Sequence, residues 1–107
     1  MARRIEWTDV ALGDVDEAAA FIARDSPRFA AALVSAVFFA VERLSLFPGS
    51  GRIVPEVELN DIREIVVQRY RLIYQVSPQR ICILAFVHGA RDLESIWPQR
   101  EPPQPEE

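Results

Sequence analysis

The sequence predicts an α+β fold in which a helix hairpin covers one side of an antiparallel sheet. Helical periodicity and helix-capping residues dominate the first half of the chain. Strand-like apolar runs separated by short turns dominate the second half. Elements segregated in this way are typical of two-layer sandwiches. The expected order is a short N-terminal strand, a helix hairpin and a three-stranded antiparallel meander.

The first part of the chain predicts a short strand followed by an amphipathic helix. Residues 3–7 (RRIEW) are apolar at Ile5 and Trp7, which suggests a brief strand. Thr8 can cap the helix, and Asp9 places a negative charge in its first turn. The helix is expected to run from Asp9 to Arg24. Its apolar residues at helical spacing are Val15, Ala18, Ala19 and Ile22.

A second helix is predicted from Pro27 to Phe47. Ser26 can cap it, and Pro27 suits the first helical position, where the missing N–H costs nothing. Pro-Gly-Ser-Gly at 48–51 then ends the helix. Between Phe29 and Val41 the helix is apolar nearly all round, with Ser35 the only polar residue, so it needs cover from the hairpin itself or from a partner. The face predicted to meet the core carries Phe29, Leu33, Val37, Val41 and Leu44.

Three strand-like runs occupy residues 62–68, 70–76 and 80–88. The short links between them imply antiparallel pairing. The third run is apolar at successive positions and is therefore predicted to be the best-covered strand. A short helical turn is expected at 93–97. A single domain is predicted to end at residue 97, and the Pro- and Glu-rich tail 98–107 is predicted to be disordered.

Composition excludes several classes of protein. The single Cys82 cannot form an internal disulfide, so a buried thiol and a cytoplasmic location are expected. One Cys and one His cannot build a zinc site, and no glycine loop for phosphate is present. We therefore predict neither a metal nor a cofactor. The N-terminus lacks the apolar region of a signal peptide, and the apolar stretch 29–41 is shorter than the ~20 residues of a membrane span.

The charge is divided along the chain. Residues 1–61 hold six Arg against ten Asp and Glu, whereas residues 62–100 hold six Arg against three acids. The acidic net charge of −4 thus hides a basic segment that suits an acidic partner. All twelve basic residues are Arg, which favours bidentate pairing with carboxylates and phosphates. Codon bias in a GC-rich genome would give the same excess.

Six short sequence elements follow one another along the chain. They are Trp-Thr at 7–8, Ser-Pro at 26–27, LSLFPGSGR at 44–52, REIVV at 63–67, YRLIYQV at 70–76 and VHGARD at 87–92. In their order and spacing they resemble the ParE branch of the RelE/ParE superfamily, the toxins of bacterial type II toxin–antitoxin modules. The resemblance covers residues 3–97.

This resemblance implies a toxin and leaves its target open. ParE-like members block DNA gyrase, whereas RelE-like members cut messenger RNA on the ribosome. Both are silenced by an antitoxin whose C-terminal segment wraps the toxin. The sequence is accordingly expected to encode a gyrase inhibitor neutralised by a ParD-like antitoxin. The alternatives are a ribosome-dependent endonuclease and a non-toxic remnant that only binds its antitoxin.

The VHGARD element decides whether an enzyme is expected. RNA cleavage through a 2′-hydroxyl needs a base, an acid and positive charge near the phosphate. Arg71 occupies a strand position where cleaving relatives often keep an arginine, and Glu64 could act as the base. His88, however, is followed by the ParE-type ending, so no catalytic residue is assigned. Three structural alternatives stay open: Arg71 pairs with Glu64, Arg91 with Asp92, and His88 bonds the backbone at a strand end.

Two sets of binding residues are predicted. The antitoxin is expected to contact Phe21, Val34, Phe38, Phe39, Arg63, Arg69 and Arg71. The target is expected to contact Arg52, His88, Arg91 and Asp92.

Overall fold

In a computed structural model, which describes residues 2–102, the chain forms the predicted α+β sandwich. The strands are β1 (Arg4–Trp7), β2 (Arg52–Ile53), β3 (Ile62–Val67), β4 (Tyr70–Val76) and β5 (Arg80–His88). The helices are α1 (Asp9–Ala23), α2 (Pro27–Leu46) and α3 (Leu93–Ile96), with single 3-10 turns at Pro48–Ser50 and Trp97–Gln99.

Both long helices begin at the predicted caps. The Thr8 hydroxyl accepts a hydrogen bond from the Ala11 N–H at 3.1 Å and donates one to the Ile83 carbonyl, also at 3.1 Å. The start of α1 is therefore fixed to β5. The Ser26 hydroxyl accepts from the Phe29 N–H at 3.1 Å, and Pro27 occupies the first turn of α2. Local capping chemistry thus sets where each helix starts.

The strands form one mixed sheet in the order β1-β5-β4-β3-β2 within the described residues. The meander β3-β4-β5 is antiparallel, and β1 pairs with β5 in parallel. As predicted, β5 is the best-covered strand, with residues 81–87 all buried. The sequence missed β2, which has only two residues, both exposed. So short a strand shows no apolar pattern.

Each face of the sheet has its own cover. The helix hairpin packs Leu33, Val37 and Val41 against Leu72 and neighbouring residues on one face. On the other face, the loop before β3 and the C-terminal segment form a second cluster. Cys82 lies in this cluster at 3% exposure, and burial raises the pKa of its thiol. The predicted buried thiol is confirmed.

Helix α2 differs from the prediction in two respects. Phe29 was expected in the core but is 67% exposed, because Ala30 fits the spacing of the buried face in the first turn. The apolar stretch 29–41 was also expected to be too short for a membrane span, whereas α2 as a whole has 20 residues. By length and composition α2 could cross a membrane. In this fold it packs together with α1 over one face of the sheet, and much of its apolar surface stays open.

The C-terminal segment crosses the predicted domain boundary at residue 97. Trp97 to Gln99 form a 3-10 turn, and Arg100 is held against α1 by Asp14. Arg100, the third residue of the predicted tail, is therefore packed against the domain, whereas Pro98 and Gln99 are exposed. Residues 103–107 lie outside the described part of the chain, where disorder stays a prediction.

Candidate functional site

A buried carboxylate links three strands of the sheet. Glu64 of β3 accepts hydrogen bonds from Arg52 Nε of β2 and Arg71 Nε of β4, each at 2.6 Å. Its side chain is 1% exposed, and a charge buried this deeply requires such partners. The alternative that Arg71 pairs with Glu64 is confirmed. Both carboxylate oxygens of Glu64 are engaged, so this group is not a free base.

Arg71 is also held by a second carboxylate. Its two terminal nitrogens donate to the two oxygens of Glu56, each at 2.8 Å. These hydrogen bonds lower the pKa of Glu56 to about 2 and raise the pKa of Arg71. All three guanidinium nitrogens of Arg71 thus contact carboxylates within the toxin fold. To bind an antitoxin carboxylate or a phosphate, Arg71 would first have to release Glu56.

The corner after α2 is fastened by a second set of contacts. Arg63 Nη1 donates to the Gly51 carbonyl at 2.9 Å. The Tyr74 hydroxyl donates to the Pro48 carbonyl and accepts from the Gly51 N–H, both at 3.0 Å. Burial raises the pKa of Tyr74. Pro48 and Gly51 of the LSLFPGSGR element, together with Arg63, therefore have a structural role here.

The VHGARD element forms a turn at the end of β5. His88 Nδ1 accepts a hydrogen bond from the Ala90 N–H at 3.2 Å, and its ring meets the Tyr70 ring edge-on at 5.4 Å. This confirms His88 as a strand-end residue bonded to backbone. Asp92 caps α3 by accepting from the Glu94 N–H at 3.2 Å. Within residues 2–102 it makes no ion pair with Arg91, so that alternative is wrong.

An aromatic groove lies between α1 and the end of β5. Two adjoining clefts of ≈290 Å³ and ≈520 Å³ share Phe21, Tyr70 and His88 as walls. Arg91 lines the first cleft and Arg69 the second. We name this feature the Phe21–Tyr70–His88 groove. It brings aromatic surface and two arginines to one place.

The helix hairpin exposes a second apolar surface. Phe39 is 65% exposed and Phe38 is 47% exposed. Phe38 rests on Trp7 with ring centroids 5.6 Å apart, and Val34 packs partly against the core. Packing of α1 against α2 therefore leaves part of the apolar surface of α2 exposed.

Among the residues that the structure describes, there is no cluster of metal-binding side chains. No three of the described His, Cys, Asp and Glu residues are grouped so that they could hold a metal ion.

Comparison with known proteins places the chain in a family. The family model for the ParE toxin of type II toxin–antitoxin systems (parDE) matches residues 5–93. The chain belongs to this family. The fold and the order of sequence elements described above are thus those of a toxin.

Relatives of this toxin agree with the assignment. A protein from Sinorhizobium fredii named putative toxin Y4kP is 34% identical over 99 residues, which span 91% of this chain and 95% of that protein. A chain from the chromosomal ParDE TA system of P. aeruginosa superposes with a TM-score of 0.67 at 21% identity, covering 81% of this chain and 96% of that one. This second likeness shows the fold.

A solved structure named for RelBE shares the architecture. A chain from the RelBE2 toxin–antitoxin complex of Mycobacterium tuberculosis has a TM-score of 0.57 and 25% identity, covering 82% of this chain and 99% of that one. Because one fold serves both kinds of system, the target of this toxin has to be argued from the chemistry of its surface.

The structure regroups the predicted binding residues. Phe21 and Arg69, predicted for the antitoxin, lie in the same groove as His88 and Arg91, predicted for the target. Phe38 and Phe39 lie elsewhere on the hairpin. Arg52, Arg63 and Arg71 belong to the polar contacts of β2 to β4. Both assignments of residues to partners stay predictions.

Sequence reasoning missed an ion pair that closes the fold. Asp14 Oδ2 and Oδ1 accept hydrogen bonds from the two terminal nitrogens of Arg100 at 2.6 and 2.7 Å, and Oδ2 also accepts from the Phe86 N–H at 3.0 Å. One local signal was available. Asp14 stands among Ala11, Val15 and Ala18 on the buried face of α1, where a carboxylate requires a cation.

Proposed function

We propose that this toxin inhibits DNA gyrase by binding it, and so blocks replication, in the cytoplasm of a bacterial cell. On this proposal it is not an enzyme, and a ParD-like antitoxin neutralises it through a tight complex. The observation that carries the proposal is that its candidate acid–base groups are already engaged in the fold.

Each candidate for RNA cleavage has a structural partner. Glu64 is enclosed by Arg52 and Arg71. Arg71 is held by Glu64 and by Glu56, and the contact with Arg71 lowers the pKa of Glu56 to about 2, so Glu56 offers no alternative base near neutral pH. His88 Nδ1 is occupied by a backbone N–H. A binding inhibitor needs none of these groups to transfer a proton, and this supports the ParE-type target.

An antitoxin partner is supported by two observations. The two solved structures described above come from toxin–antitoxin systems. The hairpin also leaves Phe38 and Phe39 open to solvent. Fully burying one such side chain contributes about 1.5–3 kcal/mol, so a few contacts of this kind support a tight complex after ordering costs are deducted.

A second candidate function is a ribosome-dependent mRNA endonuclease. The likeness to a RelBE2 chain at 25% identity favours it. The arginines of β2 to β4, Arg52, Arg63 and Arg71, also favour it, because cleavage needs positive charge near the phosphate. A non-toxic remnant is the third reading.

Two assays on the purified toxin separate these readings. We expect inhibition of gyrase-catalysed DNA supercoiling and intact transcripts in a translating extract. Cleaved transcripts with normal supercoiling would contradict the proposal and favour the endonuclease. Activity in neither assay would favour the remnant.

His88→Gln tests the absence of proton transfer directly. Gln keeps hydrogen-bonding capacity at the end of β5 but cannot act as an acid or base near neutral pH. We expect growth arrest after induction to be retained, with a thermal melt confirming the fold. Loss of a true acid–base residue costs about 10²–10⁴-fold in rate, so a folded variant that had lost both toxicity and transcript cleavage would overturn this prediction and favour the endonuclease.

A further inference from the structure

We propose that the Phe21–Tyr70–His88 groove is a peptide-binding site for an acidic segment of a protein partner that carries one aromatic side chain. This inference goes beyond the proposed function, because it defines the chemistry of the ligand whether or not gyrase is the target.

The six arginines between residues 62 and 100 differ in whether their guanidinium groups have partners within the protein. Four of them are engaged within the described part of the chain, by the Gly51 carbonyl or by carboxylates: Arg63, Arg71, Arg80 and Arg100. Across residues 2–102 the guanidinium groups of Arg69 and Arg91 have no ion-pair partner. Both are exposed, and both line the groove. The free positive charge of the basic segment thus lies in the two adjoining clefts of this groove, with Arg91 in one and Arg69 in the other.

The groove also offers apolar surface, from Phe21 and Tyr70. Phe21 is 66% exposed, with the Arg24 guanidinium 6.0 Å from its ring centre. Tyr70 is fixed by stacking on Phe86 at 4.7 Å with 11° between the planes. A cleft of ≈520 Å³ walled by Phe21, Tyr70 and His88 is large enough to accept an aromatic side chain. Carboxylates flanking that side chain would meet Arg69 and Arg91 as charge-assisted hydrogen bonds.

Single-stranded nucleic acid fits the same groove less well. One face of the Tyr70 ring is already covered by Phe86, so it offers an incomplete platform for stacking bases. Glu17 lines the groove beside Arg91, and the chain carries a net charge of −4. Both oppose any anionic ligand, and they weaken nucleic acid most because phosphate attraction dominates its affinity. An acidic peptide with an aromatic side chain also gains from burying that side chain in the cleft.

One consequence concerns regulation. Residues predicted from the sequence for two different partners share this groove. Two partners that both use it would compete directly.

Fluorescence anisotropy with a defined probe tests the proposal. The probe is a short fluorescein-labelled peptide in which one tryptophan is flanked by glutamates. Companion peptides replace the tryptophan by alanine or the glutamates by lysine, and labelled oligodeoxythymidine of similar length represents nucleic acid. We expect the first peptide alone to bind the wild-type toxin, with an affinity that falls as salt is raised.

Matched variants assign the binding to the groove. Arg69→Glu, Arg91→Glu and Phe21→Ala are each expected to weaken the peptide about tenfold. Arg43→Glu makes the same charge change on exposed α2, and Phe29→Ala removes a phenylalanine that is 67% exposed, close to the 66% of Phe21. Neither control lines the groove, and both should leave the affinity unchanged.

Several outcomes would overturn the inference. These are no peptide binding by the folded wild type, equal weakening by the control variants, or tighter binding of oligodeoxythymidine. The charge reversals lie on exposed side chains, so the test holds even if Phe21→Ala fails to fold. Shifts of the His88 ring resonances on titration of the wild-type toxin would support the assignment independently of any variant.

Discussion

Gly51 lies where the turn after α2 approaches two strands of the sheet. A Cβ atom at this position would come within 2.5 Å of the Glu64 carbonyl oxygen and would also collide with the Tyr74 hydroxyl. The Gly51 N–H and carbonyl bind Tyr74 and Arg63. The need for glycine here arises from this close approach, since Gly51 has an ordinary extended backbone with φ −82°.

We therefore expect Gly51→Ala to lower the free energy of unfolding by about 1–3 kcal/mol, the range for inserting a methyl group into a packed site. Gly49→Ala is the matched control, because a Cβ there meets nothing within 4 Å. Denaturant unfolding of both variants measures the difference. Equal stability of the two would show that the corner can relax and would contradict the packing argument.

How far the sequence predicted the site depends on whether the partners of a residue are local. The strand pattern placed Arg71 beside Glu64 on β4 and β3, and this pairing is found. The bidentate contact of Arg71 with Glu56 was not predicted, because Glu56 lies in a loop without periodicity. Because of that contact, the Arg71 guanidinium has no nitrogen free to bind a partner.

The secondary-structure elements were predicted closely because their signals are local. Thr8, Ser26 and Pro27 fix the starts of α1 and α2, and apolar periodicity fixes their buried faces. The parallel pairing of β1 with β5 and the contact of Arg100 with α1 join residues far apart in the chain. Contacts of this kind depend on the assembled fold and leave no local pattern.

Asp14 and Arg100 complete the edge of β5. Strand β1 pairs only with Arg80 to Ile83, so the later part of β5 lacks a neighbouring strand on that side. Asp14 accepts the Phe86 N–H there, and Arg100 neutralises Asp14. The two side chains are 5% and 9% exposed. Arg100 Nε is buried without a hydrogen-bond partner, which reduces the net contribution of the pair.

Removing only one member of this pair should be costly. We expect Arg100→Ala to destabilise the fold by about 3–5 kcal/mol, because it leaves a buried carboxylate without its cation. The double variant Asp14→Ala/Arg100→Ala should lose less than the sum of the single variants. Arg4→Ala, which breaks an exposed pair with Glu6, should cost less than about 1 kcal/mol. Additive effects in the double variant would contradict a direct coupling.

Over the whole molecule, the toxin is a two-layer domain with unequal outer surfaces. The sheet has cover on both faces, from the hairpin on one side and from the loop before β3 with the C-terminal segment on the other. Helix α2 buries one stripe of its surface and leaves Phe38 and Phe39 exposed. Such surface is unfavourable for a free monomer and favours a partner.

If the antitoxin covers α2, Phe39 contributes to binding and little to folding, because it is 65% exposed in the free toxin. We expect Phe39→Ala to weaken the antitoxin complex by about 1.5–3 kcal/mol, or roughly ten- to hundredfold in Kd. The thermal midpoint of the free toxin should hardly change. Phe47→Ala is the matched control, since Phe47 is 59% exposed but lies beyond the end of α2. Calorimetric titration of the antitoxin into each variant measures the effect. Equal losses for Phe39→Ala and Phe47→Ala, or no loss for Phe39→Ala, would place the antitoxin away from this face of the hairpin.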